Sequence, residues 1–345
     1  MQLNEEYFVE NRFLKKLFDL GYRIYRQNDY DPQVVQEIVS FDTDLNPSCG
    51  VNDKLRDSFK DIILEGVLES SIKLINPWIE DEQISEVIRK IKEPSSVGLI
   101  QRNREIHELI TSGISVSENR KTGEKSPTVR FIDFKNPENN SFLAISQFKI
   151  SIPGTEKHII PDIVIFVNGI PFVVVECKSP SITDPINEAF TQILRYSGIR
   201  SQNEGNEKLF YYNLLYILTS SLEAKYGTIT SNFENLNEWL EAFPFGLDAQ
   251  NNPSQKQEIL IQGMLSKSIF LDILHTYTIF RDSTSGTQKI VARYHQLRAV
   301  KKIVEKLRTG KNPFEKGGII WHTQGSGKSL TMMFTVRELY HHQEE

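Results

Sequence analysis

The sequence predicts a mixed α/β protein made of two unlike units in series. Three observations carry that expectation. Apolar residues recur at helical spacing through roughly the first 110 positions. From about position 128 the pattern changes to short β-type runs separated by turn formers. Near the C-terminal end an apolar run, a tight glycine loop and an amphipathic stretch follow one another. A chain of 345 residues is long enough for two domains of ordinary size. The polar, turn-rich stretch FGLDAQNNPSQKQ (245–257) marks the junction, dividing the chain into 1–255 and 256–345.

Composition narrows the function classes. With 39% hydrophobic and 25% charged residues the chain resembles an average folded protein, and no run approaches the roughly 18 apolar residues of a membrane span. The N-terminal MQLNEEYFVENRFLKK lacks the apolar run of a secretory signal, so a cytoplasmic location is expected. Cys49 and Cys177 lie too far apart in sequence to suggest a disulfide framework or a metal-binding pair, and both are expected to be reduced. A formal net charge of −5 gives nucleic-acid binding no support, yet a basic cleft can hide inside an acidic total.

Within the first unit, Phe13, Leu14, Leu17, Phe18 and Leu20 read as one helical core face, and Phe59, Ile62, Ile63 and Val67 as another. The β-type runs are VRFIDF (129–134), SFLAISQFKI (141–150), PDIVIF (161–166) and PFVVVECK (171–178), with NPENN and Asn168-Gly169 as turns. INEAFTQILRYSGI (186–199) reads as a helix and LFYYNLLYILTS (209–220) as another buried strand. No internal repeat or low-complexity tract interrupts this order.

The hairpin at 161–178 raises a chemical question. Residues 163–166 and 172–175 are apolar at consecutive positions, so both faces must be covered, yet Asp162, Glu176 and Lys178 stand at the ends of these strands. An unpaired charge there costs several kcal/mol. Glu176 and Lys178 share a face by two-residue periodicity. A two-residue loop would pair Val167 with Ile170 and turn Asp162 to the other face, whereas an odd-length loop or a glycine bulge unites all three. The odd-length loop is the expectation, because two carboxylates and an ammonium on one face can hold Mg²⁺. Such an ion polarises a phosphodiester and lowers the pKa of bound water, and a lysine beside it can orient that water. The alternative is a Glu176–Lys178 ion pair with Asp162 capping a turn.

Pro161-Asp162 with Glu176-Cys177-Lys178 resembles the PD-(D/E)xK nuclease superfamily. Gln192 and Tyr196, spaced i, i+4 on the following helix, resemble the QxxxY element that accompanies the catalytic motif in one branch of these nucleases. The resemblance implies a supporting role in cleavage and DNA contact for this pair. Upstream, Glu105, His107 and Glu108 are read as helix-surface residues rather than extra active-site groups.

In GGIIWHTQGSGKSLTMMFTVRELYHH (317–342) the run Thr323, Gln324, Gly325, Ser326, Gly327, Lys328 and Ser329 occupies the step from strand to helix, where unpaired N–H groups and the helix dipole favour phosphate. Lys328 is placed to reach β- and γ-phosphate oxygens and Ser329 to ligate the Mg²⁺ of ATP. His322 stands where the strict phosphate-loop pattern has its first glycine. Gln296 in ARYHQLRAV, near Tyr294, resembles the adenine-reading glutamine of superfamily 2 helicases. Only 16 residues follow Ser329, too few for an acidic second motif, a second RecA-like lobe or an arginine finger, so the chain is expected to be a fragment without ATP turnover of its own.

Taken in order, a PD-(D/E)xK nuclease, a glutamine motif and a helicase-type phosphate loop resemble the restriction (R) subunit of type I restriction endonucleases. That resemblance implies a nuclease-like mixed sheet flanked by helices, followed by the start of a RecA-like domain. It also implies metal-dependent cleavage of double-stranded DNA, ATP-driven translocation in the full-length protein, and partnership with modification and specificity subunits. Two other readings stay open at this point: a DNA repair or recombination nuclease-helicase, and a non-catalytic ATP-binding assembly module.

Overall fold

The computed structural model describes residues 9–341 apart from Asp44, Gln202, Ser221 and Ser285. In chain order the principal elements are α1 (Asn11–Asp19), β1 (Arg23–Gln27), β2 (Val35–Phe41), β3 (Pro47–Asp53), α2 (Glu65–Ile75), α3 (Asp81–Lys92) and α4 (Leu99–Ser112). Next come β4 (Phe142–Ser146), β5 (Ile163–Val167), β6 (Ile170–Cys177), α5 (Pro185–Tyr196), β7 (Leu215–Thr219), β8 (Ala224–Gly227) and β9 (Asn237–Glu238). The C-terminal part holds α6 (Lys256–Leu265), α7 (Lys267–His275), β10 (Thr278–Ser283), β11 (Gly286–Val291), α8 (Tyr294–Thr309) and α9 (Lys328–His341). None of the described helices is long and apolar enough to cross a membrane.

Nine strands form one mixed sheet in the order β9-β8-β7-β6-β5-β4-β1-β2-β3. β1 runs parallel to β4, and β6 runs parallel to β7, while the remaining neighbours are antiparallel. Every residue of the four central strands β4 to β7 is buried, which is why their sequences are apolar without alternation. Helices flank the sheet: α5 packs against β6 and β7, and α6 packs against α1 and reaches β8. The start of α5 is set locally, since Pro185 occupies its first turn and the Asp184 carboxylate accepts a hydrogen bond from the N–H of Asn187 at 3.3 Å.

Several local expectations are corrected. The first 110 residues are not mostly helical, because 23–53 form the three-stranded β1–β3 end of the sheet. Phe59, Ile62 and Ile63 precede α2 rather than lying on it. Of VRFIDF only Val129 is in a strand, and LFYYNLLYILTS opens with a helical turn at Lys208–Tyr211 before β7. The apolar run before the glycine loop, 318–322, forms no strand. A strand needs a neighbour to bond to, and among the described residues none pairs with this run.

The β5–β6 hairpin also departs from expectation. Its loop has two residues, with Val167 paired to Ile170, rather than an odd number. Asn168 and Gly169 both have positive φ, 51° and 80°, as a tight primed turn requires. The shift occurs inside β6 instead, between Pro171 and Val173, after which Val175 pairs with Ile163. Proline has no N–H for the ladder and settles at such irregularities. Continued by one residue, the shifted register sets Glu176 across from Asp162.

Candidate active site

The chemistry-bearing residues gather where β6 ends and β5 begins. Asp162 is held by its side chain and its backbone together. Its Oδ2 accepts a hydrogen bond from the N–H of Cys177 at 2.7 Å, and its carbonyl accepts one from the N–H of Gln147 at 2.8 Å. Glu176 is only 1% exposed. Lys178 Nζ donates to Glu176 Oε1 at 2.8 Å, while Oε2 is buried with no hydrogen-bond partner. The three residues of the motif therefore meet on one side of the hairpin.

The electrostatics of Glu176 are unusual. Burial, reinforced by the negative charge of Asp162, pushes its carboxyl up to about 8, against the opposing pull of Lys178 and the nearby Tyr196 hydroxyl. Tyr196 lies beneath the site. Its hydroxyl donates to the Ile160 carbonyl at 2.9 Å and accepts from Gln192 Nε2 at 3.0 Å, so the i, i+4 pair acts as a brace from α5 to the segment leading into Asp162. Burial, with the charges of Glu176 and Asp162 in support, drives the Tyr196 phenol far above its usual range. The neighbouring Cys177 thiol is likewise raised by burial and by the surrounding carboxylates, which makes it inert.

Do these residues suit a metal ion? No three Asp, Glu, His or Cys side chains among the described residues are grouped to hold one. Mg²⁺, however, is commonly held by one or two carboxylates, with waters and substrate phosphate completing its shell. A buried carboxylate oxygen without a partner, and a proton retained because burial and then a neighbouring acid disfavour the anion, are the features a cation would relieve. Asp162 and Glu176 thus fit a hard divalent cation.

A third carboxylate escaped the sequence reading. Glu10, immediately before α1, is buried, receives a hydrogen bond from Gln147 Nε2 at 2.9 Å, and contributes to the field at Cys177. Its signal was present: Glu10 precedes Leu14 by four residues and Leu17 by seven, placing an acid on the apolar stripe of a helix. By contrast Glu105, His107 and Glu108 lie on α4. Glu105 accepts three hydrogen bonds from Ser95 and Ser96, which outweigh the upward effect of burial and take it down to about 2. Glu108 pairs with Arg104 at 2.9 Å. His107 is not a surface residue: it is buried against the edge of Phe280, and desolvation, aided by Lys289, Arg337 and His275, keeps it neutral.

The glycine loop forms a second centre. Gly325 and Gly327 have φ of 80° and 86°, and Lys328 Nζ, at the first position of α9, donates to the carbonyls of His322 and Thr323, both at 3.1 Å. Ser326 closes a turn onto the Thr323 carbonyl, and Gln324 and Ser329 complete the loop-to-helix step. Gln296 is buried, with its Nε2 on the carbonyls of Ser326 and Gly327 at 3.3 Å and its Oε1 on the N–H of Arg293. Its amide is engaged by the loop and by its own helix start. Beside it a groove of about 1170 Å³, lined by Tyr294, His295, Arg298 and Trp321 among others, lies between α8 and the run 318–322.

Comparison with known proteins then decides the family. The family described as Type I restriction enzyme R protein N terminus matches residues 2–235, well over half of the 345. The chain belongs to this family. A second family, SWI2/SNF2 ATPase, matches residues 295–345, which include Gln296 and the glycine loop. The chain is 27% identical to the type I restriction enzyme HindI endonuclease subunit of Haemophilus influenzae, over 82% of this chain and 27% of that protein. It is also 27% identical to the SauMSSORF170P endonuclease subunit of Staphylococcus aureus, over 96% of this chain and 30% of the relative. A Methanocaldococcus jannaschii protein with the provisional name type I restriction enzyme MjaIXP endonuclease subunit gives 27% over 98% of this chain and 31% of its own length. The chain spans less than a third of each of these relatives.

Proposed function

We propose that this chain carries the DNA-cleaving centre of a type I restriction endonuclease subunit, together with the opening segment of its ATP-driven motor. The observation that carries the reading is the pairing of Asp162 with a buried Glu176 whose second carboxylate oxygen has no partner. Asp162 and Glu176 would hold Mg²⁺. Bound there, the ion would supply charge neutralisation at the phosphodiester and a water of lowered pKa. Asp162 is anchored through the Cys177 N–H, which would hold its carboxylate at the site. Lys178, mostly buried and held on Glu176, is positioned to donate to the attacking water or to a phosphate oxygen. Gln192 and Tyr196 hold the Ile160 carbonyl and thereby the approach to Asp162.

At the second centre, Lys328 would exchange the His322 and Thr323 carbonyls for phosphate oxygens, and Ser329 would meet the nucleotide's Mg²⁺. Double-stranded DNA and the modification and specificity subunits are the partners this reading implies, in the cytoplasm. Family membership and the type I relatives favour restriction over a stand-alone repair enzyme.

The 2.8 Å Lys178–Glu176 ion pair supports a second, structural reading of the hairpin. Replacement of Asp162 by Asn, which keeps the acceptor for Cys177, separates the two. Introduced into the full-length subunit in its complex, Asp162→Asn should cut cleavage roughly 100-fold or more while DNA-stimulated ATP hydrolysis persists. Undiminished cleavage by a folded Asp162→Asn complex would sink the nuclease assignment.

A further inference from the structure

One buried amide lies at the crossing of two paths into the candidate site. Gln257, the second residue of α6, is 1% exposed. Its Nε2 donates to the Val9 carbonyl at 3.4 Å and to Thr219 Oγ1 at 3.2 Å, bridging segments 248 and 38 positions away.

Each contact leads to a different member of the motif. Along the first path, Val9 is followed by Glu10, whose carboxylate is held by Gln147 Nε2, and the N–H of Gln147 holds the Asp162 carbonyl at 2.8 Å. Gln147 has a φ of 55°, so it leaves β4 in a conformation that lets its side chain and its own N–H serve both acids. Along the second path, Thr219 ends β7, and its carbonyl accepts the N–H of Lys178 at 2.8 Å. Thr219 Oγ1 already donates to the Glu223 carbonyl, so toward Gln257 it can only accept.

The seat of α6 is fixed independently. Glu258 pairs with Arg12 at 2.7 Å and Lys16 at 3.4 Å on α1. At Gly263 the helix approaches Trp239 so closely that an added Cβ would lie 2.2 Å from its Nε1. A rigidly seated helix therefore presents one amide to both sides of the acid pair.

We propose that Gln257 is a positioning residue that fixes the Asp162 side of the site relative to the Lys178 side, and that α6 is the element through which the segment following residue 255 bears on nuclease geometry. The inference rests on the metal-site reading above. Groups that orient ligating residues from outside typically change metal affinity or activity by about 10–100-fold.

Mn²⁺ binding to the 345-residue chain, read from loss of the free-ion electron paramagnetic resonance signal, tests it. The variants are Gln257→Met, Thr219→Val, Gln262→Met and Asp162→Ala, each accompanied by its metal-free melting temperature; Gln262→Met makes the same change five residues further along α6. Methionine keeps the volume and removes the donor, and Gln257 Oε1 has no partner to lose. Thr219→Val removes the acceptor from the other side, should Gln257→Met not fold. The expected result is weakening of Mn²⁺ affinity by about 10-fold or more in Gln257→Met and in Thr219→Val, with Gln262→Met within about 2-fold of the parent. Unchanged affinity in Gln257→Met, or an equal loss in Gln262→Met, overturns the positioning role. If Asp162→Ala binds Mn²⁺ like the parent, the metal-site reading itself fails and takes this inference with it.

Discussion

Asp162 and Cys177 are joined by a 2.7 Å hydrogen bond from the backbone N–H of one strand to the side chain at the start of its neighbour. That contact ties the first acid to the residue next to the second. It sets a half-buried carboxylate near a fully buried one, a situation that costs free energy without a cation.

The first prediction follows from that cost. Glu176 titrates near 4.5 when unfolded and at about 8 in the folded chain. Between those values the native state retains a proton that the unfolded state has lost, so its contribution to stability is intact below 4.5 and is lost as pH rises toward 8. Metal-free chain should therefore unfold at progressively lower urea concentration across this window. Mg²⁺ should restore more stability near pH 8 than near pH 5, and Asp162→Asn, which removes the neighbouring charge, should flatten the slope. A metal-free profile that rises with pH over the same window would contradict the assignment.

Gly169 provides the second. It has a φ of 80°, and an added Cβ would lie 2.5 Å from the Leu64 carbonyl and 3.0 Å from the Leu68 nitrogen. Both obstacles are backbone, and neither can step aside cheaply. Gly169→Ala is expected to cost about 2–4 kcal/mol, seen as a lowered midpoint in chemical denaturation.

A third concerns Lys289 on β11, a fully buried ammonium with no carboxylate partner in its hydrogen-bond set. Its Nζ donates to Asn103 Oδ1 at 2.9 Å and to the Asn213 carbonyl at 2.7 Å, and it faces the Phe280 ring. Desolvation lowers its pKa from 10.5 to about 7. Between these values the unfolded chain binds the extra proton, so stability from this group rises with pH through the window. Lys289→Met should remove that rise in a comparison of urea midpoints below and within the window. Persistence of the full slope in the variant would assign it to other groups.

The fourth tests the nucleotide centre. A Cβ on Gly327 would lie 2.4 Å from Gln296 Nε2, and the φ of 86° disfavours any side chain. Gly327→Ala should displace Gln296 from the loop carbonyls and weaken binding of a fluorescent ATP analogue by about 10-fold or more, with Mn²⁺ binding at Asp162 and Glu176 unchanged. Parental nucleotide affinity in this variant would show that the loop conformation does not matter to binding.

The hairpin was legible in the sequence because its apolar residues are consecutive and its charges cluster at one end, so burial and conflict could both be read from a single stretch. The edge β1–β3 was not. In β2 the buried residues Val35 and Ile38 are three apart, because the register shifts on either side of Ile38, and that spacing imitates a helix. The turn was misjudged for a related reason: the irregularity lies at Pro171 within the strand, where proline's missing donor is a weaker sign than the Asn-Gly beside it. Gln257 and Gln147 had no local signature, since their partners lie far along the chain and only the packing of α6 and α1 unites them. The run 318–322 has strand-like composition without a strand, because composition cannot provide the neighbour a strand requires.

The single supernumerary residue within β6 carries a consequence for how this hairpin can vary. Strand faces obey a parity rule: one step along the chain exchanges inside for outside, two steps restore it. Phe172 supplies the odd count that the two-residue turn withholds. Deleting Phe172, or adding one residue to the turn, would leave a hairpin of similar composition with Asp162 and Glu176 back to back. Making both changes together would bring them face to face again, so length changes here are tolerable only in compensating pairs.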